Sequence, residues 1–271
     1  ALDGKTILLH AEQGLGDTIQ FVRYAPLVAG RGGRVVLEVG EELLELLDDF
    51  PGITTLVRRG EELPAFDTHC PLLSLPGVFR TTLDTIPWTG PYLNVNVRKA
   101  ASWEGAVDPS DHRLKVGLRW SGRKAYKRDH QRSILSDTLA PLRGCEGVVF
   151  FSLEKADAGG EPSPPPCGMA LVDRTADFHS LADTAALISR LDLVITVDTS
   201  VAHLSAALGR PTWILLPHVP DWRWMMGRED SPWYPTVRLF RQPVAGDWES
   251  VMERVARELA DPGLRIYAPV P

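Results

Sequence analysis

Four short stretches of this sequence carry side chains suited to chemistry on an anionic substrate. The first is Glu12-Gln13-Gly14-Leu15-Gly16-Asp17-Thr18. Its glycines let the backbone turn sharply and let a ligand approach closely. The helix expected after them offers free N–H groups to an anion. A carboxylate at a helix start is favoured by the helix dipole, so Asp17 is expected to be ionised. It is then able to accept the proton of an acceptor hydroxyl, with Glu12 as a second candidate base. The plainer reading of Asp17 is a helix cap. The second stretch is Asp198-Thr199-Ser200-Val201-Ala202-His203. It follows an apolar run and opens a helix that ends near Gly209-Arg210-Pro211. Backbone N–H groups of Thr199, Ser200 and Val201, with two hydroxyls, suit a diphosphate. The plainer alternative is an ordinary cap, with His203 a satisfied helix residue.

The third stretch runs from Trp120-Ser121-Gly122 to Arg132-Ser133. It holds Arg123, Lys124, Lys127, Arg128 and Arg132. Such a run is usually a solvated face, but its place after a strand favours a phosphate contact by one of them. Arg132 is the candidate, with Ser121 as its hydroxyl partner. The fourth is Asp221-Trp222-Arg223-Trp224, followed by Arg228 to Tyr234. Asp221, Trp222 and Trp224 are cleft candidates, because aromatic faces stack on sugars or bases and a neighbouring acid orients hydroxyls. A packed loop that anchors the terminal helix is the alternative. Gly14-x-Gly16 also begins a dinucleotide fingerprint, and Glu38 stands where a ribose-binding acid would lie. The third glycine position holds Ile19, however.

Composition narrows the classes. The net charge of −6 lacks the basic excess of a broad nucleic-acid surface. Cys70, Cys145 and Cys167 are far apart and form no CxxC pair, so free thiols are expected rather than a zinc site or disulfide framework. No Asp-x-Asp occurs, so the usual carboxylate pair for a metal–diphosphate is missing. His-Glu-x-x-His and Gly-x-Ser-x-Gly are missing too. No cofactor and no metal are expected. The sequence has no apolar run of spanning length and no opening signal peptide, which predicts a cytoplasmic protein without a membrane span. The chain starts without Met, which suggests a fragment once preceded by another domain.

The elements that must position these residues alternate. Lys5 to Leu9, Arg34 to Val39, Ile53 to Val57 and Phe66 to Cys70 read as strands. Asp17 to Ala29 and Glu41 to Asp48 read as helices. The polar stretch from Asn94 to Arg113 reads as a link. The pattern then restarts, with strands Leu114 to Trp120, Val148 to Leu153, Leu193 to Val197, Thr212 to Leu216 and Val237 to Phe240. Its helices are Ser136 to Leu142 (with Ser136 capping), Ser180 to Leu191, Thr199 to Leu208 and Trp248 to Leu259. Glu154 to Gly168 reads as a loop. This order predicts an α/β protein with parallel sheets and right-handed crossovers. Expected bounds are 1–97 for a first Rossmann-like acceptor domain, 98–113 for the linker, 114–245 for a second, donor-binding domain and 246–262 for a terminal helix. Ligands in such sheets sit beyond the carboxyl ends of the strands. Two such rims facing across a cleft would hold two substrates.

Together these motifs resemble the heptosyltransferase-like family of glycosyltransferases. The likeness is carried by Gly14-Leu15-Gly16-Asp17 and by Val197-Asp198-Thr199-Ser200-Val201-Ala202-His203-Leu204 with Gly209-Arg210-Pro211. The pattern EQGLGDTIQFVRY, with DWRW and REDSPWYP, is similar to the glycosyltransferase domain behind tetratricopeptide repeats in bacterial proteins, flagellin glycosyltransferases among them. The resemblance implies the two-Rossmann GT-B fold. It implies a nucleotide sugar as co-substrate and Asp17 as catalytic base. It also implies a donor-phosphate cradle at Thr199, Ser200 and Val201, with Arg132 where heptosyltransferases carry a donor-binding lysine. The implied acceptor is a protein Ser or Thr, flagellin-like, recruited by an upstream repeat domain. A cytidine-linked nonulosonic acid fits that likeness, and uridine- or adenosine-linked sugars stay open. Three alternatives stand beside it: a lipopolysaccharide-type heptosyl transferase, an NAD(P)-dependent oxidoreductase, and a sugar-nucleotide-binding module without turnover.

Overall fold

The apolar runs of the sequence become strands, and every paired strand runs parallel to its neighbour. The structure, a computed structural model, describes residues 1–155, 164–166, 168–261, 263, 264 and 266. Cys167, position 262 and most of the expected 154–168 loop lie outside the described residues.

The first half alternates β1 (Thr6–His10), α1 (Leu15–Phe21), α2 (Ala25–Ala29), β2 (Arg34–Val39), α3 (Glu41–Leu47), β3 (Thr55–Arg58), β4 (Thr68–Pro71) and α4 (Leu75–Val78). Its sheet has the order β3-β2-β1-β4. Leu9, Val35 and Leu37 are fully buried, as strands covered on both faces require. After α5 (Val97–Ser102), the second half runs through β5 (Leu114–Arg119), α6 (Asp129–Arg132), β6 (Val148–Ser152), β7 (Leu171–Val172), α7 (Leu181–Ile188), β8 (Leu193–Val197), α8 (Ser200–Ala207), β9 (Thr212–Leu216), β10 (Val237–Arg241) and α9 (Trp248–Leu259). Its sheet has the order β10-β9-β8-β5-β6-β7. Among the described residues no helix is long and apolar enough to cross a membrane.

Three local readings need correction. The helix expected over 17–29 is α1, a 3₁₀ turn at Val22–Tyr24 and then α2. Pro26 lies in the first turn of α2, where the lack of an N–H costs nothing but a continuous helix is interrupted. The helix expected from Ser136 is a 3₁₀ segment, Ser136–Gly144, with Leu135 at the cap and Pro141 inside. The polar link contains α5, whose Asn96 side chain accepts a hydrogen bond from the Arg98 N–H.

The two sheets share one apolar core. Ile19 and Phe21 of the first half belong to the same buried cluster as Leu204, Trp224 and Tyr234 of the second. Helix α1 packs on α8, and α3 and α5 both pack on α7. Arg23 is buried between the halves. It donates to the Trp233 carbonyl at 2.9 Å and to the Tyr92 hydroxyl at 2.9 Å. Its guanidinium lies 4.6 Å and 4.7 Å from the ring centroids of Tyr92 and Tyr234. Aromatic faces thus surround a cation whose burial would otherwise be costly.

A second polar tie joins α5, α3 and α7. Asp183 on α7 accepts from Trp103 Nε1 at 3.1 Å and from the His179 and Ser180 amides, and Lys99 Nζ lies 3.0 Å away. Lys99 also pairs with Glu45 of α3 at 2.8 Å. Burial alone would raise the Asp183 pKa. The bonds from Lys99, Trp103 and the two amides outweigh it and lower the pKa to about 2. A depressed carboxyl stabilises the fold above its unfolded pKa, and that stability is lost as pH falls toward about 2. Asp183→Asn is therefore expected to cost about 2 kcal/mol near neutrality and to flatten the acid-side fall in stability between about pH 4 and 2. Chemical denaturation across that range measures it. A wild-type-like pH dependence in the variant would remove Asp183 from this role.

Candidate active site

Two strand ends meet at one cavity. Strand β1 leads through Ala11–Gly14 into α1, and β8 leads through Asp198 and Thr199 into α8, so both helix starts lie beyond the carboxyl ends of their sheets. The cavity measures about 640 Å³. Its lining includes Gly14, Gly16 and Asp17 from the first half, with Arg132, Asp198, Thr199, Ser200, His203, Asp221, Trp222 and Arg223 from the second.

Asp17 uses both carboxylate oxygens. Oδ2 accepts from the Gly14 amide at 3.0 Å, closing the first turn of α1. Oδ1 accepts from Arg223 Nη2 at 2.6 Å, across the two halves. The residue is at once a cap and a carboxylate facing the cavity. Gly16 lines the cavity and also serves helix packing. A Cβ there would lie 2.7 Å from Cδ2 of His203, so the glycine is what lets α1 and α8 close on each other. The third glycine position of the dinucleotide fingerprint holds Ile19, which is fully buried. Gly16→Ala is expected to destabilise the fold by about 1–3 kcal/mol through overpacking. Thermal unfolding reads this as a drop of several degrees. An unchanged midpoint would contradict the tight packing.

At the second rim, Thr199 caps α8. Its Oγ1 accepts from the Val201 amide at 3.3 Å. This corrects the expected cradle, since the Val201 N–H serves the cap and its side chain is buried. Thr199 and Ser200 remain on the cavity wall. Arg132 Nη1 donates to the Asp198 carbonyl at 2.7 Å, Nε pairs with Asp129 at 3.0 Å, and the guanidinium lies 4.7 Å from the Tyr126 ring centroid. This holds a cation beside the start of α8. A Cβ at Gly122 would fall 2.2 Å from Asp129 Oδ1 and 2.6 Å from Arg132 Nε, so a glycine is needed for that pair to fit. Arg119, Arg123 and Arg128 also line the cavity.

Three further expectations are corrected. Ser121 is bound to buried Glu154, which also accepts from the Trp120 and Ser121 amides, so it is not a partner of Arg132 at the cavity. Glu12 accepts from the Leu73 amide at 3.2 Å and lies outside the lining. Trp224 is fully buried and stacks on His203 with centroids 5.4 Å apart. Its apolar surface belongs to the core, whereas Trp222 is 60% exposed at the rim.

His203 is the floor of the site. Burial, and then the charges of Arg223 and Arg23, lower its pKa well below the ordinary value. Arg223 Nη1 lies 3.2 Å from Nε2, and the Tyr234 hydroxyl lies 2.9 Å from Nδ1. A guanidinium only donates, so Nε2 is the acceptor and Nδ1 carries the proton toward Tyr234. Burial raises the Asp198 carboxyl, although Arg223 and Arg132 oppose that rise. Among the described residues no group of three or more His, Cys, Asp or Glu is placed to hold a metal ion.

Sequence reasoning passed over Arg223. In Asp221-Trp222-Arg223-Trp224 it stands between two rings and beside an acid, and nothing local in that spacing pairs it with Asp17. Arg23 was hidden in an apparently amphipathic helix.

The chain has a sequence relative, and its fold has counterparts among solved structures. The chain is 28% identical to Protein FlbA of Caulobacter vibrioides, an alignment that covers 96% of this chain. It spans about half the length of that relative, 47%. The fold superposes on the crystal structure of a glycosyl transferase family 9 protein from Veillonella parvula with a TM-score of 0.63 at 14% identity, covering 96% and 98% of the two chains. It also superposes on the E. coli ADP-heptose lps heptosyltransferase II with a TM-score of 0.62 at 14% identity, covering 94% and 97%. Residues 176–216, which hold α7, β8, α8 and β9, match the model of glycosyltransferase family 9 (heptosyltransferase), and the chain as a whole has the GT-B fold of the heptosyltransferase structures.

Proposed function

We propose that this protein transfers a sugar from a nucleoside diphosphate sugar to a hydroxyl acceptor. One observation carries the reading. A single cavity joins the Asp17 carboxylate of one half to the start of α8 and to Arg132 in the other. The acceptor oxygen attacks the anomeric carbon and the bond from that carbon to the diphosphate oxygen breaks. The acceptor proton goes to Asp17. The negative charge left on the diphosphate meets Arg132 and the first turn of α8, and these donors are in place before reaction. In this reading arginines supply the cationic partner, and no metal is required. ADP-heptose, named for the E. coli heptosyltransferase, is the first donor to try.

For the acceptor, the motif likeness of EQGLGDTIQFVRY and DWRW supports a protein Ser or Thr. Similarity to the lipopolysaccharide enzyme supports a glycan hydroxyl equally. Transfer assays with both acceptor classes separate these.

A thermal-shift screen of nucleoside mono- and diphosphates and their sugars tests the donor. A nucleoside diphosphate or its sugar at a hundred times its dissociation constant is expected to add about 2.7 kcal/mol of stability. Stabilisation by nicotinamide dinucleotides alone, with none from any nucleotide sugar, would overturn the reading.

A further inference from the structure

The cation that touches Asp17 comes from the other half of the molecule, and two of its guanidinium nitrogens form hydrogen bonds while the third sits in an ion pair without one. Arg223 Nη2 donates to Asp17 Oδ1 at 2.6 Å, Nη1 faces His203 Nε2 at 3.2 Å, and Nε lies 3.0 Å from Asp221 Oδ1. The side chain is 10% exposed. Its backbone is fixed too, because the Asp221 carboxylate accepts from the Arg223 amide at 3.2 Å and caps the 3₁₀ turn Trp222–Trp224. His203 is in turn held by Tyr234 and by the stacked Trp224 ring. A planar fork hydrogen-bonded to Asp17 and His203 and ion-paired to Asp221 has little freedom to turn toward an incoming phosphate. Arg132 differs, since it lies beside the α8 start with Nε on Asp129 and Nη1 on the Asp198 carbonyl, all within its own half, and Nη2 outside those two bonds.

From this we infer that Arg223 is a positioning residue for the Asp17 carboxylate rather than a ligand of the donor phosphates. It aims the proposed base from the second half across to the first, backed by His203 and Asp221. The cavity wall is therefore complete only when the two halves are closed on each other, as the Gly16–His203 contact closes them. The inference rests on the transferase reading for its kinetic consequence, but the ion pair itself is testable without turnover.

Arg223→Gln is expected to lower kcat about 100-fold, the scale of a misplaced reacting group. Nucleoside diphosphate affinity should stay within about twofold. Arg223→Lys should recover part of the loss, because it keeps the charge without the fork. Asp221→Asn, which loosens one side of the guanidinium, should show the same pattern more weakly. An affinity loss with unchanged kcat would make Arg223 a phosphate ligand and overturn the inference. A lowered melting midpoint with unchanged kcat in the folded variants would make it a structural pin and overturn it equally.

A double-mutant cycle of Asp17→Asn and Arg223→Gln by denaturant unfolding gives the second readout. The two single effects are expected to overcount the double variant's by about fivefold or more in the unfolding equilibrium constant. Additive effects would overturn the pairing. Where Arg223→Gln does not fold, Arg223→Lys replaces it in both measurements. A wild-type protein without transfer but with a coupled cycle would refute the transferase reading and leave the pairing standing.

Discussion

Asp17→Asn is expected to reduce sugar transfer by about 10²- to 10⁴-fold, the usual contribution of a positioned general base. The substitution keeps the cap but not the bond across the halves, because asparagine has one oxygen and its NH2 would face the Arg223 donor. The amide oxygen of asparagine can still accept from the Gly14 N–H, which Asp17 Oδ2 now takes at 3.0 Å, so the first turn of α1 keeps its cap. What disappears is the negative charge facing Arg223 and the capacity to take a proton. Arg223 keeps Asp221 at 3.0 Å as a counter-charge. Nucleotide affinity should therefore remain near that of the wild type while kcat falls. The measurement is steady-state transfer beside nucleotide titration and a far-UV spectrum of each protein. Wild-type turnover in a folded Asp17→Asn protein would take the base role from this residue, and Glu12, bonded to the Leu73 amide outside the cavity lining, is poorly placed to inherit it.

Arg132→Ala carries the second large effect. Its guanidinium is held by Asp129, by the Asp198 carbonyl and over Tyr126, so its donors are organised before any substrate arrives. Removing one preorganised donor from a site where charge develops costs about 10²- to 10³-fold in kcat. The nucleoside diphosphate product should also bind more weakly, because the same charge is present in the product. Arg132→Lys should rescue only part of either quantity, since an ammonium cannot occupy both Asp129 and the Asp198 carbonyl with the same fork. Isothermal titration with the diphosphate, together with kcat, checks both. If both constants stay within twofold of wild type, Arg132 is a loop fastener and the donor charge is met elsewhere, with Arg123 and Arg128 next to examine.

The contrast between Arg132 and Arg223 shows how the site divides its charges. Both line the cavity. One is fastened to its own half and set beside the start of α8. The other spans to the opposite half and engages the proposed base. In the proposed reaction one arginine serves the leaving group and the other the base, and only their partners distinguish them.

What could be read in the sequence was local. The apolar runs at Arg34–Val39 and Leu193–Val197 are strands because continuous β-rich stretches must be buried on both faces. Thr199 caps α8 because a threonine in extended conformation just before a helical turn brings its hydroxyl to the amide two residues on. Asp17 was singled out as a carboxylate at a helix start for the same reason, a contact three residues long. Such interactions depend on neighbours in the chain, so residue type and spacing determine them. Ser121, Val201 and Trp224 were misjudged because a hydroxyl, an amide or a ring looks available in sequence until its partner is known. Those partners are Glu154, Thr199 and His203.

The tertiary structure alone decided which side chains meet. The bond between Asp17 and Arg223 joins residues 206 positions apart. Gly16 serves helix packing because His203 of the other half occupies the space beside it. Arg23 is tolerated in the core because Tyr92 and Tyr234 converge on it from both halves. Caps and strand periods follow from short-range geometry that the chain carries wherever it folds. The meeting of two helix starts, and the charges placed between them, exists only after two separate sheets have buried a common face.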